Sequence, residues 1–487
     1  MNQRPLNRET VATTTHPVKI LQFGEGNFLR AFVDWMIDIA NEKGVTDSDI
    51  AIVTPRFRIT PALETLQKQD GLYHVYLEGV KDGKPGKESR LVTSIADAFS
   101  PSADMERYES YITLPDLRFV ISNTTEAGIR YEPENMSGDN QATFPGKVTK
   151  MLHKRFTRFN GADDKGLIFL CCELIEDNGS TLRDFVLRHA AEGGLGNDFI
   201  DWVKNSCIFC DTLVDRIVSG FPHDTIDELK EELGYDDNLI VKGELYHIWA
   251  IGGDGYLKAQ RELPLDKAGL NVEFMPSIKK FRDKKVRILN GSHTGMVPIA
   301  LQLGCETVMD AFDNRDVNEF INTMVEREVL PMIDEERETL ERFSAGILER
   351  FYNPYIKHQL KSIALNSLSK WEARNYPTAK DYYSRNGKRA DFELFTFAAL
   401  LSLYGPGSEF NTQDTQEHLE LINQVWNDND YRSTVAAIVN SNSNIFTENF
   451  EEHIPGFIDD TARYLSEIRR NGMSVALKQF IESHKNG

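Results

Sequence analysis

Cysteine is scarce in this chain: 487 residues contain five, Cys171, Cys172, Cys207, Cys210 and Cys305. An odd, sparse set excludes a disulfide scaffold and suits a reducing compartment. Cys207 and Cys210 form a lone CxxC, in NSCIFCDTLV. No second pair and no histidine pair is spaced to complete a zinc site, so no metal is expected. Two buried cysteines on a helix is the favoured reading, ahead of a redox pair. Basic charge is also short. Lysine and arginine total 55 against 75 acidic residues, a net charge of −20. That disfavours nucleic acid and anionic membranes as partners. Long apolar runs are missing too, since none approaches the ~18 residues of a membrane span. The opening MNQRPLNRETVATTTHP has no apolar core, so a cytoplasmic location without a signal peptide is expected.

At roughly 100–200 residues per domain, the length predicts two or three domains. VKILQFG at 18–24 reads as a buried strand ending at glycine. Phe28, Leu29, Phe32, Val33, Met36, Ile37 and Ala40 then recur at helical spacing. DIAIVT at 49–54 is a second strand, stopped by Pro55. A β-α-β unit of this length predicts a parallel sheet. GLYHVYLEG at 71–79 and SRLVTSI at 89–95 read as a β-hairpin inserted into that sheet domain. LRFVISNTT at 117–125 and GLIFLCCEL at 166–174 are further buried strands. Past about residue 280 strand-like runs give way to helical patterns at 294–304, 316–333, 355–371, 391–404 and 458–484. The expected class is α/β: a Rossmann-type, mostly parallel sheet domain at 1–278, then an all-helical domain at 279–487.

ILQFGEGNFLRAF places a GxG at the first strand-to-helix turn. Gly24 permits a tight turn, and Gly26 lets a pyrophosphate approach the helix N-terminus, where unpaired N–H groups favour anions. Candidate cofactor contacts are Phe23, Gly24, Glu25, Gly26, Asn27, Phe28 and Arg30. Thr54, and Asn123, Thr124 and Thr125, join them because ligands of open α/β sheets lie beyond the carboxyl ends of strands. Leu29 stands where the third glycine of GxGxxG belongs. The competing reading is a glycine turn that holds no ligand. An acid that binds the adenosine ribose is expected near the end of the second strand. VTPRFR has none. Thr54 or backbone could contact the ribose, and Arg56 could face a 2′-phosphate, so local residues leave NAD against NADP open.

KKVRILNGSHTG at 284–295 carries Lys285, Asn290 and His293. On an α-helix they project at roughly 0°, 140° and 80°, a broad shared face. Carbonyl reduction needs a proton donor and groups that stabilise the developing alkoxide. Lysine can be the donor, and nearby cations such as Lys284 and Arg287 would ease its deprotonation. Asn290 and His293 could hold the oxygen. The competing reading is a basic helix start with a turn at Asn290-Gly291.

GEGNFLRAF, LVDRI at 213–217, the K-x4-N-x2-H spacing and RFYNPYIKHQL at 350–360 resemble the mannitol dehydrogenase family of polyol-specific long-chain dehydrogenases. FVISNTTEAGI, CELI-x2-NG and EELGYDD are most similar to a branch of it that reduces hexulosonates. The resemblance runs from about residue 17 to the end, in blocks that keep their order. It implies NAD as cofactor and metal-independent hydride transfer between a sheet domain and a helical domain. It puts the general acid/base on Lys285, with Asn290 and His293 beside it. One departure stands out: Leu174 occupies the place of a second alkoxide-binding asparagine, which argues against mannitol. A sugar acid carries a carboxylate, and Lys357, His358 and Arg374 are candidate partners for it. The rivals are an uncharged-polyol dehydrogenase, a reductase of another hexulosonate, and a non-catalytic NAD-binding protein. Oligomeric state, monomer or dimer, stays open.

Overall fold

The computed structural model describes residues 3–81, 84–124, 128–138, 141–355, 357–406, 408, 410, 414–440 and 444–485. The chain divides into two compact units, Met1–Lys279 and Lys280–Gly487. The first unit contains β1 (Val18–Phe23), β2 (Asp49–Val53), β3 (Tyr73–Lys81), β4 (Lys84–Val92), β5 (Ile95–Phe99) and β6 (Phe119–Ser122). It continues with β7 (Ile168–Cys171), β8 (Ile208–Asp215), β9 (Val218–Gly220), β10 (Val241–Glu244), β11 (Ile248–Gly252) and β12 (Val272–Met275).

Eight of these form one sheet in the order β12-β11-β8-β7-β6-β1-β2-β5. Pairing is parallel from β5 through to β8. Only β11 against β8 is antiparallel. Parallel strands are apolar on both faces because crossover helices cover both sides. Thus Ile20 and Ile121 enter one core, while Leu21 and Val120 enter the core on the opposite face. The chain leaves β1 toward β2 and β5 on one side, and returns to place β6 on the other. β1 and β6 therefore flank a topological switch point, where open α/β sheets bind ligands at the strands' carboxyl ends.

The hairpin forms at β3 and β4, but it belongs to a second sheet of order β9-β10-β3-β4 rather than to the main one. β5 was not foreseen as a strand of its own. The CxxC is also placed differently. Cys207 follows the helix Asn197–Ser206 and Cys210 lies in β8, so the pair is not on a helix. Both are buried thiols.

The second unit is helical. Its centre is Gly291–Gln302, buried along nearly its whole length, packed on the equally buried Asp391–Leu401. A Cβ at Gly295 would lie 2.9 Å from Thr396 Cγ2, so glycine permits this close approach. Two expected helices are broken. Among its described residues, the span 355–371 is helical only from Leu360 to Ile363 and again from Ser367, with Asn366 between them at φ +55°. The span 458–484 divides at Gly472, whose φ of +76° suits glycine. Among the described residues, no helix is long and apolar enough to cross a membrane.

Candidate functional site

In the first unit, the turn after β1 is built from within. Gly24 has φ +137°, and a Cβ there would lie 2.9 Å from Leu29 Cδ1. Leu29 thus fills the space that a third glycine would leave, and Gly24 accommodates it. Gly26 differs. Its φ is −70°, and a Cβ would meet no atom within 4 Å. Nothing in the protein requires glycine there. What a side chain would occupy is the open space above the helix start, where a pyrophosphate needs room. The turn therefore fits a dinucleotide.

The other sequence candidates around this turn divide into lining and scaffold. Asn27 is exposed and Phe28 is half-buried, stacked on Phe32 at 5.0 Å. Glu25 Oε1 accepts from the Thr60 hydroxyl at 3.0 Å. Asn123 sets its carbonyl 3.4 Å from the Cβ position of Gly24. Thr54 is buried, and its hydroxyl has no hydrogen-bond partner. Three candidates are scaffold. The Phe23 ring packs in the core, 5.2 Å from Phe144. Arg30 is buried and donates to the carbonyls of Glu25 and Leu239 and to Asn27 Oδ1, so it braces the turn rather than facing a ligand. Thr124 gives both its N–H and its hydroxyl to Glu173. Thr125 lies outside the described residues. Leu174, three residues beyond the end of β7, is 68% exposed.

In the second unit, Lys285 ends the α-helix Lys279–Lys285, and the next five residues, Val286–Asn290, form a π turn. Such a turn contains one extra residue, which rotates the rest of the helix back by about 100°. Asn290 and His293 then fall at about 40° and −20° from Lys285 rather than 140° and 80°. The bulge gathers the three onto one narrow face. His293 is buried, its ring tilted against Phe351 at 4.4 Å, with His358 edge-on at 5.3 Å. Burial holds its pKa well below the usual imidazole range, and His358, Arg350, Arg374 and Lys285 depress it further. His293 is therefore neutral at neutral pH. Its Nε2 and the Asn290 Oδ1 are buried without hydrogen-bond partners in the protein.

The two cations expected to act on Lys285 do not remain as bare charges. Lys284 pairs with Glu335 at 2.9 Å, and Arg287 with Asp283 and Asp381 at 2.8 and 2.7 Å. Arg374 donates to the Thr294 hydroxyl at 3.2 Å, and His358 joins the cluster. Lys357 is exposed. Sequence reasoning missed Arg350, which lies near enough to influence both His293 and His358. The signal was present, because Arg350 opens the RFYNPYIKHQL block. It also missed Asn375, whose Nδ2 donates to Gly291 O at 3.1 Å and to Glu393 Oε2 at 2.9 Å. Asn375 thereby ties the exit of the π turn to a buried acid.

Burial raises the Glu393 carboxyl to about 8. The folded protein thus binds this proton more tightly than the unfolded chain does. Its stabilising contribution is present at low pH and is lost as pH rises through the window up to about 8. Glu393→Gln, which keeps an acceptor for Asn375, is expected to flatten that loss. Urea denaturation at a series of pH values across the window checks it: the wild-type midpoint should fall more steeply than the variant's.

Residues 18–265 match the mannitol dehydrogenase Rossmann domain, and residues 277–452 the mannitol dehydrogenase C-terminal domain. The chain belongs to the mannitol dehydrogenase family. Within the family, it is 42% identical to the altronate oxidoreductase of Bacillus subtilis (strain 168), covering 96% of each chain. It is 39% identical to that of Escherichia coli O7:K1, covering 98% of this chain and 99% of the other. In fold it is similar to substrate-free D-sorbitol dehydrogenase, with TM-score 0.80 and 21% identity over 95% of each chain. Pseudomonas fluorescens mannitol 2-dehydrogenase, solved with NAD and D-mannitol, gives TM-score 0.69 and 20% identity over 99% of this chain and 97% of that one. Among the described residues of this family member, no group of three or more His, Cys, Asp or Glu is placed to hold a metal ion.

Proposed function

We propose that this protein is an NAD-dependent oxidoreductase that interconverts D-tagaturonate and D-altronate. The family and the full-length similarity to altronate oxidoreductases support dehydrogenation of a polyol or sugar acid. The observation that carries the sugar-acid reading is the cationic surround of His293, where Arg350, Arg374 and Lys285 converge with His358. The positive field of that cluster attracts the carboxylate of a sugar acid, whereas an uncharged polyol gains nothing from it.

NAD(H), held at the Gly24–Gly26 turn, supplies or accepts the hydride. Protonated Lys285 gives its proton to the oxygen that becomes the hydroxyl. Asn290 steadies that oxygen by donating a hydrogen bond, and neutral His293 orients it. With Leu174 in place of a second asparagine, His293 takes a larger share of the alkoxide. Arg350 binds the carboxylate, and Arg374 adds to the positive charge around His293. Reduction consumes a proton, so altronate oxidation is favoured as pH rises.

Tagaturonate, fructuronate and fructose, each offered with NADH, separate the readings. Tagaturonate is expected to give the highest kcat/KM by at least about tenfold over fructose, the worth of one charge-assisted hydrogen bond. Preference for fructose would overturn the sugar-acid reading. NADH binding without turnover on any of the three would favour a non-catalytic protein.

A further inference from the structure

Described residues of the loop after β2 and of the loop after β6 line a hollow of about 440 Å³ in the first unit. It lies at the carboxyl edge of the sheet, beside the switch point that holds the glycine turn. Four cations line it: Arg56, Arg58, Arg130 and Lys147. Among the described residues, its lining contains no carboxylate. Two acids among the described residues of the second loop stand near, and both are engaged. Glu134 accepts from the N–H groups of Ala142 and Thr143 and from the Thr143 hydroxyl. Glu132 pairs with Arg130 at the surface, at 2.9 Å.

The turn that carries two of these arginines is held in an unusual conformation. Phe57 has φ +52°, a region that residues bearing a side chain rarely adopt. Its N–H closes the turn onto Thr54 O at 3.0 Å, and its ring packs edge-on to Tyr108 at 5.6 Å. Lys147 clasps the same turn. Its Nζ donates to Pro55 O at 2.8 Å and sits 4.5 Å over the Phe57 ring. With Phe57 anchored inward, Arg56 and Arg58 on either side stay exposed. A chain of net charge −20 thus gathers cations at the place where an NAD-specific fold carries an acid. That acid hydrogen-bonds the free ribose hydroxyls and repels a 2′-phosphate. Arginine does the reverse, since its planar fork matches phosphate oxygens.

We infer that this hollow receives a phosphate on the adenosine ribose, with Arg56 and Arg58 as its ligands, so that the enzyme takes NADP(H) alongside NAD(H). The inference rests on the dinucleotide reading of the glycine turn. Calorimetric titration with ADP-ribose and with 2′-phospho-ADP-ribose tests it without turnover. The wild-type protein is expected to bind both, the phosphorylated ligand at least as tightly. In an Arg56→Ser/Arg58→Ser variant, checked for folding by circular dichroism, the ratio of affinities should swing toward ADP-ribose by about tenfold or more. Wild-type binding of ADP-ribose with 2′-phospho-ADP-ribose at least about tenfold weaker would overturn the inference and leave the dinucleotide reading intact. So would a variant whose ratio does not move. Failure of both ligands to bind would overturn the dinucleotide reading itself, and the inference with it.

Discussion

Lys285→Ala is expected to lower kcat for tagaturonate reduction by about 10²–10⁴-fold, the range for removing a positioned general acid. NADH binding, followed by fluorescence, should persist, because the glycine turn belongs to a separate compact unit. The expectation rests on the π turn at Val286–Asn290, which brings Asn290 and His293 round to the face of Lys285. Partial rescue by added primary amines would identify the lost group as a proton donor rather than a structural prop. A variant that kept more than about a tenth of wild-type turnover would remove Lys285 from the chemistry.

Arg350→Met should weaken the enzyme selectively. A charge-assisted hydrogen bond to a carboxylate contributes about 1.5–3 kcal/mol, so kcat/KM for tagaturonate should fall by about 10- to 150-fold. Methionine keeps much of the apolar stem and loses the guanidinium. If Arg350 reads the carboxylate, the loss should be much smaller for fructose, and the preference for the acid should shrink accordingly. An equal loss on both substrates would mean that Arg350 supports the fold around His293 instead. The same assay on Arg374→Met, whose guanidinium donates to Thr294, shows which of the two arginines binds the carboxylate.

How much of this was legible in the sequence depends on how local each signal is. The glycine turn was legible because strand, turn and helix are contiguous, and each residue's spacing states its place. The parallel sheet was legible for the same reason. The π turn was not, because a constant 3.6-residue period places Asn290 far round the helix from Lys285. Only the bonded backbone reveals the extra residue. The break at Asn366 was hidden because asparagine takes a left-handed conformation without a glycine to announce it. Arg350, Asn375 and Glu393 reach the stretch through tertiary packing, from three separate helical segments or their junctions. The roles assigned to Arg30 and Phe23 show the converse limit. They lie within a motif, yet their side chains point into the protein and hold the turn from behind.

Transfer of label tests the central claim most directly. The protein is incubated with tagaturonate and NADH deuterated at the transferred position of the nicotinamide, and the product is examined by NMR. The expected product is altronate with deuterium on the carbon of the new alcohol, formed in step with cofactor oxidation. Oxidised cofactor without labelled altronate, or label in no sugar acid at all, would contradict hydride transfer to tagaturonate.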